Sequence, residues 1–382
     1  MANTLFSYTP PQPSFTSGED PLSWLRLIRS RRVGPTTFHR LIAEHGTAAA
    51  ALEALPEIAR AAGVEDYTPC PPAVAQAELT AARKVGARLI LFGTPAYPAG
   101  LAEMSDAPPL LWALGDIGML ARPMIALVGA RNASSLGTRM AKALAGSLTQ
   151  AGLVVVSGLA RGIDAAAHAA ALPATVAVQA GGVDVIYPAE NAELARQIAQ
   201  SGCRLSEQPI GLEPQARHFP MRNRIISGLS RAVVVVEAAA RSGSLITAKT
   251  ALDQGREVFA VPGHPFDARA GGCNMLIRDG ATLVRNAADV LDALAPGSAP
   301  HQHLSEPPTP QEPRTPAPNS PLRQIAALHT AILNRLGPSP VAEDQLIRDL
   351  ALPASAIAPE LLALELEGKV QRQPGGLLSR LN

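Results

Sequence analysis

HFPMRNRIISGLSRAVVVVE, residues 218–237, carries two kinds of signal in one run. Val233 to Val236 are four consecutive valines, entered from Ala232 and closed by Glu237. Such a run reads as a strand of a parallel sheet, covered on both faces. Phe219 and three arginines, Arg222, Arg224 and Arg231, stand just ahead of it. Open α/β sheets bind ligands beyond the carboxyl ends of their strands. Arginines feeding that edge predict an anionic ligand, and an aromatic ring predicts one with a flat face, so a nucleotide or nucleic acid fits first.

Working outward, strands at about 125–129, 153–157, 174–179, 203–206, 232–237, 257–261 and 281–284 alternate with helical segments. The alternation predicts an α/β protein with a doubly wound, mainly parallel sheet covered on both faces. Residues 76–85 read as a helix, 88–92 as a strand and 108–114 as a short extended segment. From Pro21 to Val64, helical patterning broken at Gly34 and Pro35 fits a SAM-like or helix-hairpin-helix module. The turn of such a module can offer N–H groups to a phosphate, and Arg29, Arg31 and Arg32 lie beside it; a plain packing module is the alternative. Residues 322–382 read as three helices and a glycine-turned hairpin, a winged-helix pattern. Nine prolines between 296 and 321 make a semi-rigid linker. Residues 1–20, rich in Pro, Ser and Thr, are expected to be disordered. The expected domains are therefore a helical module at 21–75, a core at 76–295 and a winged helix at 322–382, with the linker at 296–321.

Composition narrows the class. With a formal charge of +1, any polyanion site must be local. Of 33 basic residues 29 are Arg, so arginine at any one position is partly a matter of composition. Cys70, Cys203 and Cys273 lie far apart, which argues against a disulfide framework or a zinc site. His301 and His303, in the proline-rich segment, are poor candidates for a metal. No secretory signal and no membrane-spanning run is read, so a soluble, cytoplasmic protein without a cofactor is expected.

Four strands end in loops suited to anions. Gly129, Arg131 and Ser134 or Ser135 follow the first, the serines as helix caps; the glycine pattern is not the dinucleotide fingerprint. Ser157, Gly158, Arg161, Gly162 and Asp164 follow the second, running into a helix with His168. Gly181, Gly182, Tyr187 and Pro188 follow the third. The valine strand has Arg222 and Arg224 before it and Arg241, Ser242, Gly243 and Ser244 after it.

Two enzymatic readings compete. GSLITAKT at 243–250 misses the P-loop by Ala248 in place of glycine, and a helix capped by Ser242 or Ser244 would carry Lys249 beyond its first turn. Asp164 and His168 share a helix face and could pair; with Ser157, Ser242 and Glu237 they could sketch a hydrolase, and a nucleotide phosphoribohydrolase is the leading alternative. The plainer reading makes Asp164 a helix N-terminal acid, His168 a satisfied buried side chain, and Glu237 an organiser of Arg222 or Arg224.

Residues 126–131 (ALVGAR), 157–168 (SGLARGIDAAAH), Tyr187-Pro188, 219–227 (FPMRNRIIS), Glu237, 242–244 (SGS) and Pro262-Gly263 together resemble the DprA/Smf DNA-processing family. The motifs cover about 125–295, and the flanking modules resemble the family's SAM-like and winged-helix domains. The resemblance implies an extended Rossmann-like core that binds single-stranded DNA. It further implies a noncatalytic homodimer that protects incoming DNA and loads the RecA recombinase on it during natural transformation. Carried over residue by residue, the binding pocket would use Gly129, Arg131, Phe219, Arg222, Asn223, Arg224, Ser242 and Gly243, with Arg217 a further phosphate contact. Ser157, Gly158, Gly162, Asp164, His168 and Glu237 would support it. Ala180 stands where the family commonly has glycine. The winged helix holds six basic and six acidic residues, a balance that favours a protein contact or weak DNA binding over an independent duplex reader.

Overall fold

The computed structural model describes residues 20–295, 321–336, 341–350, 352–373 and 377–380. The expected disordered segment and proline-rich linker lie outside the described residues, apart from Asp20 and Pro321 at their ends. The chain divides into two compact units, residues 1–301 and 302–382.

The first unit opens with helices α1 (Pro21–Arg29), α2 (Pro35–His45), α3 (Ala48–Ala61) and α4 (Pro72–Lys84). Asp20 caps α1 by accepting from the N–H groups of Leu22 and Ser23, and Gly34 precedes Pro35 at the first turn of α2, where proline's fixed φ suits a helix start. Trp24, Phe38, Leu41 and Leu52 form the module's own core. The opposite side of α1 is not free: Leu25 packs with Ala75 and Ala82 of α4 and with Leu110 and Trp112. The expected boundary at residue 75 thus falls inside a helix that joins the module to the sheet.

The remaining elements are β1 (Arg88–Leu91), α5 (Ala99–Ala102), β2 (Leu110–Gly115), β3 (Met124–Val128), α6 (Ser135–Gln150), β4 (Val154–Ser157), α7 (Ile163–Ala171) and β5 (Thr175–Val178). They continue with α8 (Ala192–Ser201), β6 (Cys203–Ser206), α9 (His218–Leu229), β7 (Ala232–Val235), α10 (Gly243–Asp253), β8 (Glu257–Ala260), α11 (Gly271–Arg278), β9 (Thr282–Leu283) and α12 (Ala287–Leu294). Nine strands form one sheet in the order β1-β2-β6-β5-β4-β3-β7-β8-β9. Every pairing from β6 to β9 is parallel, as the alternation predicts. The strand read at 88–92 and the extended segment at 108–114 become β1 and β2, which continue the sheet antiparallel at one edge.

The valine run explains the layering. Val233 and Val235 face one core with Ala126, Val128, Val154 and Val156, over which α9 and α10 lay Ile225, Ile226, Ala248 and Ala251. Val234 and Val236 face the other core, against Ile125, Leu127 and the α6 residues Leu144 and Leu148. Successive side chains point to opposite faces of a strand, so four valines in a row require cover on both, at about 1.5–3 kcal/mol for each side chain buried. The chain winds β3 to β6 in one direction and returns at β7 beside β3. The β3–β7 junction is therefore the switch point of the sheet, where a crevice opens at the carboxyl edge.

The second unit holds α13 (Pro321–Arg335), β10 (Val341–Ala342), α14 (Glu343–Leu350), α15 (Ala354–Leu366), β11 (Val370–Gln373) and β12 (Leu377–Arg380). It has the three helices of the winged-helix reading, and β10 adds a third strand to the hairpin in the order β10-β12-β11. Ile332, Leu346, Ile357, Leu361, Leu364 and Leu378 form its core.

Candidate nucleic-acid interface

A cleft of about 610 Å³ lies at the β3–β7 junction, and a smaller pocket of about 290 Å³ adjoins it. The loops after β3, β4 and β7 and the start of α9 build the larger cleft, so Gly129, Arg131, Phe219, Arg222, Asn223, Ser242 and Gly243 come together there, while the loop after β5 closes the smaller pocket with Tyr187, Pro188 and Glu190. Residues 218–229 do so as a helix, whose N-terminal turn delivers Phe219 and Arg222 to the crevice.

Arg222 is the floor of this site. It is 5% exposed, and its Nη1 donates to the carbonyls of Gly158 and Val178, each at 2.5 Å. Its Nε finds no hydrogen-bond partner among the described residues. Burial lowers its pKa to about 10 and the charge of Arg131 pushes the same way, while Asp164 opposes them. At neutral pH the guanidinium is therefore a buried cation, and among the described residues no carboxylate forms an ion pair with it. Gly158 leaves room for it, since a Cβ would stand 2.3 Å from the guanidinium and displace it.

Above Arg222 lies an aromatic and cationic stack. The Arg131 guanidinium carbon sits 5.3 Å from the centre of the Phe219 ring, and that of Arg222 sits 6.0 Å from it. Tyr187, 51% exposed, places its ring 5.7 Å from Phe219. Arg241 and Arg269 line the larger cleft and Arg161 the smaller pocket. Helices α7 and α10 begin at this edge, adding the positive ends of their dipoles, while the start of α6 is met by the Glu237 carboxylate. The site is thus cationic, with rings to stack on and backbone N–H groups at hand.

The supporting residues hold its shape. Asp164 accepts from the N–H groups of Gly158 (3.1 Å) and Ala160 (3.4 Å). Burial raises its pKa, and the charge of Arg222 works against that rise. Ser157 Oγ donates to the Leu127 carbonyl at 2.6 Å, tying β4 to β3. Gly162, at φ +75°, admits the close approach of the Ala130 carbonyl, 2.3 Å from where a Cβ would be. His168 does not pair with Asp164: its Nε2 accepts from the Leu159 N–H at 3.3 Å and its Nδ1 meets Thr175 Oγ1 at 2.7 Å. Thr175 Oγ1 donates onward to the Val155 carbonyl, so Nδ1 carries the proton. Burial lowers the His168 pKa to about 3, and Arg222 adds to the effect. His168 is a satisfied neutral core side chain.

Three sequence expectations require correction, and a fourth, Arg217, is left open. Arg224 does not line the cleft: it forms an ion pair with Glu207 and donates to the Asp106 carbonyl at 2.5 Å, with Asp106 Oδ2 at 3.5 Å. A helix advances about 100° per residue, so two residues carry Arg224 to the far side of α9 from Arg222. Arg217 stays exposed beside the cleft without lining it, its Nε donating to His218 Nε2 at 3.3 Å, so its phosphate contact stands as a proposal. Glu237 organises neither arginine: its carboxylate accepts from the N–H (2.9 Å) and Oγ of Ser134, the cap of α6. Arg29 is taken up by Glu78 at 2.9 Å and by the Glu207 carbonyl, so it is not a phosphate ligand at the Gly34 turn. As expected, Lys249 lies beyond the first turn of α10, whose cap is Ser242.

The sequence reading placed Tyr187, Arg161 and Arg241 in the anion-suited strand-end loops without carrying them into the binding pocket, and it left out Arg269, which lies in the loop after β8, where no motif stands at that position. Gln179 closes the third loop internally, accepting from Arg204 Nε at 2.9 Å and donating to the Val185 carbonyl at 2.6 Å.

Comparison with known proteins matches residues 88–295 to the family of DNA recombination-mediator protein A. The chain belongs to the DprA/Smf family. Residues 18–81 match the DprA-like N-terminal HHH domain and 307–376 the DprA winged helix domain. The chain is 45% identical to DNA processing protein DprA of Bacillus subtilis over 60% of its length and 78% of that protein. It is 36% identical to protein Smf of Synechocystis over 74% of its length and 77% of that protein. The DprA crystal structure from Streptococcus pneumoniae aligns with a TM-score of 0.57 and 37% identity, over 68% of this chain and 98% of that one. The Helicobacter pylori protein, described for its single-stranded DNA binding mode, aligns with a TM-score of 0.50 and 29% identity, over 54% of this chain and 95% of that one. Among the described residues no helix is long and apolar enough to cross a membrane.

Proposed function

We propose that this DprA/Smf protein binds single-stranded DNA in the cleft at the β3–β7 junction, without catalysis. The observation that carries the reading is Arg222, a buried cation whose hydrogen bonds go to carbonyls, whose guanidinium carbon lies 6.0 Å from the Phe219 ring and whose Nε has no hydrogen-bond partner among the described residues. Holding a charge out of water is costly unless an opposite charge arrives, and a phosphate supplies one. Arg131, Arg222 and Arg241 receive phosphates, with the N–H groups at the start of α10, while Phe219 and Tyr187 take a base at roughly 1–3 kcal/mol for each stack. The relative from Helicobacter pylori, whose single-strand binding mode has been described, supports the ligand class.

Within that reading, the protein acts as a homodimer in the cytoplasm, protects incoming DNA, and loads RecA on it during natural transformation. These assignments rest on family membership. The winged helix, with its balanced charge, serves as a protein contact or a weak DNA contact. The phosphoribohydrolase alternative needed a free carboxylate at Glu237, and that group is engaged by Ser134.

A salt titration of binding to single-stranded and double-stranded oligonucleotides tests the proposal. Preference for the single strand with a steep salt dependence, lost in Arg222→Met, is the expected result. Equal binding by Arg222→Met would sink it.

A further inference from the structure

Phe266, in the loop after β8, is 95% exposed, more than any other large apolar side chain of the described residues. Its ring lies 5.6 Å from that of His264, tilted by 36°. A hydrogen-bonded turn presents the pair. The Phe266 N–H donates to His264 Nδ1 at 3.3 Å, the Asp267 N–H donates to the His264 carbonyl at 2.9 Å, and Gly263 exchanges hydrogen bonds with Asn274 at 3.1 and 2.9 Å.

This loop is the next one along the edge that forms the cleft. Strand β8 follows β7 as β7 follows β3, and neighbouring strands of a sheet lie about 4.8 Å apart. The loops bearing Arg131, Arg241 and Arg269 therefore set a row of arginines across the carboxyl edge, the last of them paired with Asp267 at 3.2 Å and still half-exposed. Arg269, three residues beyond Phe266, lines the cleft together with Arg241. Phe219 stands at one end of the row and Phe266 beyond the other. Single-strand sites combine a cationic track for the backbone with rings on which bases stack, and the row has both.

We propose that Phe266 and His264 form a second stacking platform, which receives a base of the same single strand as it leaves the cleft past Arg269. The inference rests on the single-strand reading of the cleft. Because the ring is exposed, its removal leaves the fold intact.

Binding of oligothymidylates to the full-length protein tests the platform. An oligomer of about 4 nucleotides occupies the Arg222 end, while one of about 12 also reaches the β8 loop. Phe266→Ala is expected to weaken binding of the longer oligomer about ten-fold and to leave the shorter one unaffected. Its salt slope stays as in the wild type, since no phosphate contact is lost, and Phe266→Trp restores the affinity. Unchanged affinity of Phe266→Ala for the longer oligomer, or an equal loss on both lengths, overturns the platform and leaves the cleft reading standing. If the wild type binds neither length, the cleft reading fails and the platform with it.

Discussion

Arg222 and Arg224 leave helix α9 two residues apart and end in opposite electrostatic situations. Arg222 donates to the backbone carbonyls of Gly158 and Val178 at the floor of the cleft. Arg224 is closed off by the buried carboxylate of Glu207, the two side chains being 11% and 10% exposed. One cation is kept without a paired carboxylate, and the other is neutralised in place.

Their substitutions should therefore separate binding from stability. Arg224→Ala leaves Glu207 buried without its partner, so urea unfolding should show a loss of about 3–5 kcal/mol. Arg222→Met, which keeps the volume, should cost less stability and weaken oligonucleotide binding at least about ten-fold. Both changes are read by denaturant midpoint and by fluorescence anisotropy on folded protein. A stable Arg224→Ala that binds poorly would contradict the assignment.

Arg131 is exposed and stacks over Phe219. Arg131→Ala should leave the unfolding midpoint unchanged and reduce the slope of log K against log salt by about 0.7, the value for one phosphate contact on a single strand. An unaltered slope would show that Arg131 does not meet a phosphate.

Glu237 holds the cap of α6 through Ser134, and Ser134 Oγ in turn accepts from the Gly137 N–H at 2.9 Å. Ser134→Ala should cost about 1 kcal/mol by loss of the cap, and Glu237→Gln a similar amount because one acceptor becomes a donor. The same Glu237→Gln protein decides between the two functional classes. Nucleoside monophosphate hydrolysis by the wild type that disappears in this variant would restore the hydrolase reading.

His168 gives a pH dependence of known sign. Its folded pKa of about 3 lies below the ordinary value of 6.5, through burial first and Arg222 second. Above 6.5 neither state binds the proton. As the pH falls from 6.5 toward 3, the unfolded chain takes up a proton that the folded one refuses, so stability falls, at most by about 1.4 kcal/mol per pH unit. Asp164 and Glu207, both raised by burial, act in the opposite direction at the acid end. The His168 contribution is therefore read as the difference between wild type and His168→Gln, whose denaturant midpoint should fall less steeply between pH 6.5 and 4.

Much of the architecture was legible because it rests on repetition along the chain. The valine run at 233–236 and the alternation of strands and helices require a sheet covered on both faces, and that is the sheet found. The glycine loops at strand ends located the cleft, since parallel strands bring their carboxyl ends to one edge. The strand at 88–92 was legible as β1, but β2 was read only as a short extended segment, because its antiparallel pairing is with β6, which is far away in sequence.

The sequence by itself determined the fold class, the family and which loops meet, because periodicity, turn residues and motif order are local properties of the chain. Only the tertiary structure decided which charges are free. Arg222, Arg224, Arg217 and Arg29 look alike in a sequence. Their partners, two carbonyls for the first, Glu207 and the Asp106 carbonyl for the second, His218 for the third and Glu78 with the Glu207 carbonyl for the fourth, include groups up to 178 residues away. Whether an arginine can serve a ligand depends on that pairing and on burial, and both are fixed only when the chain is packed.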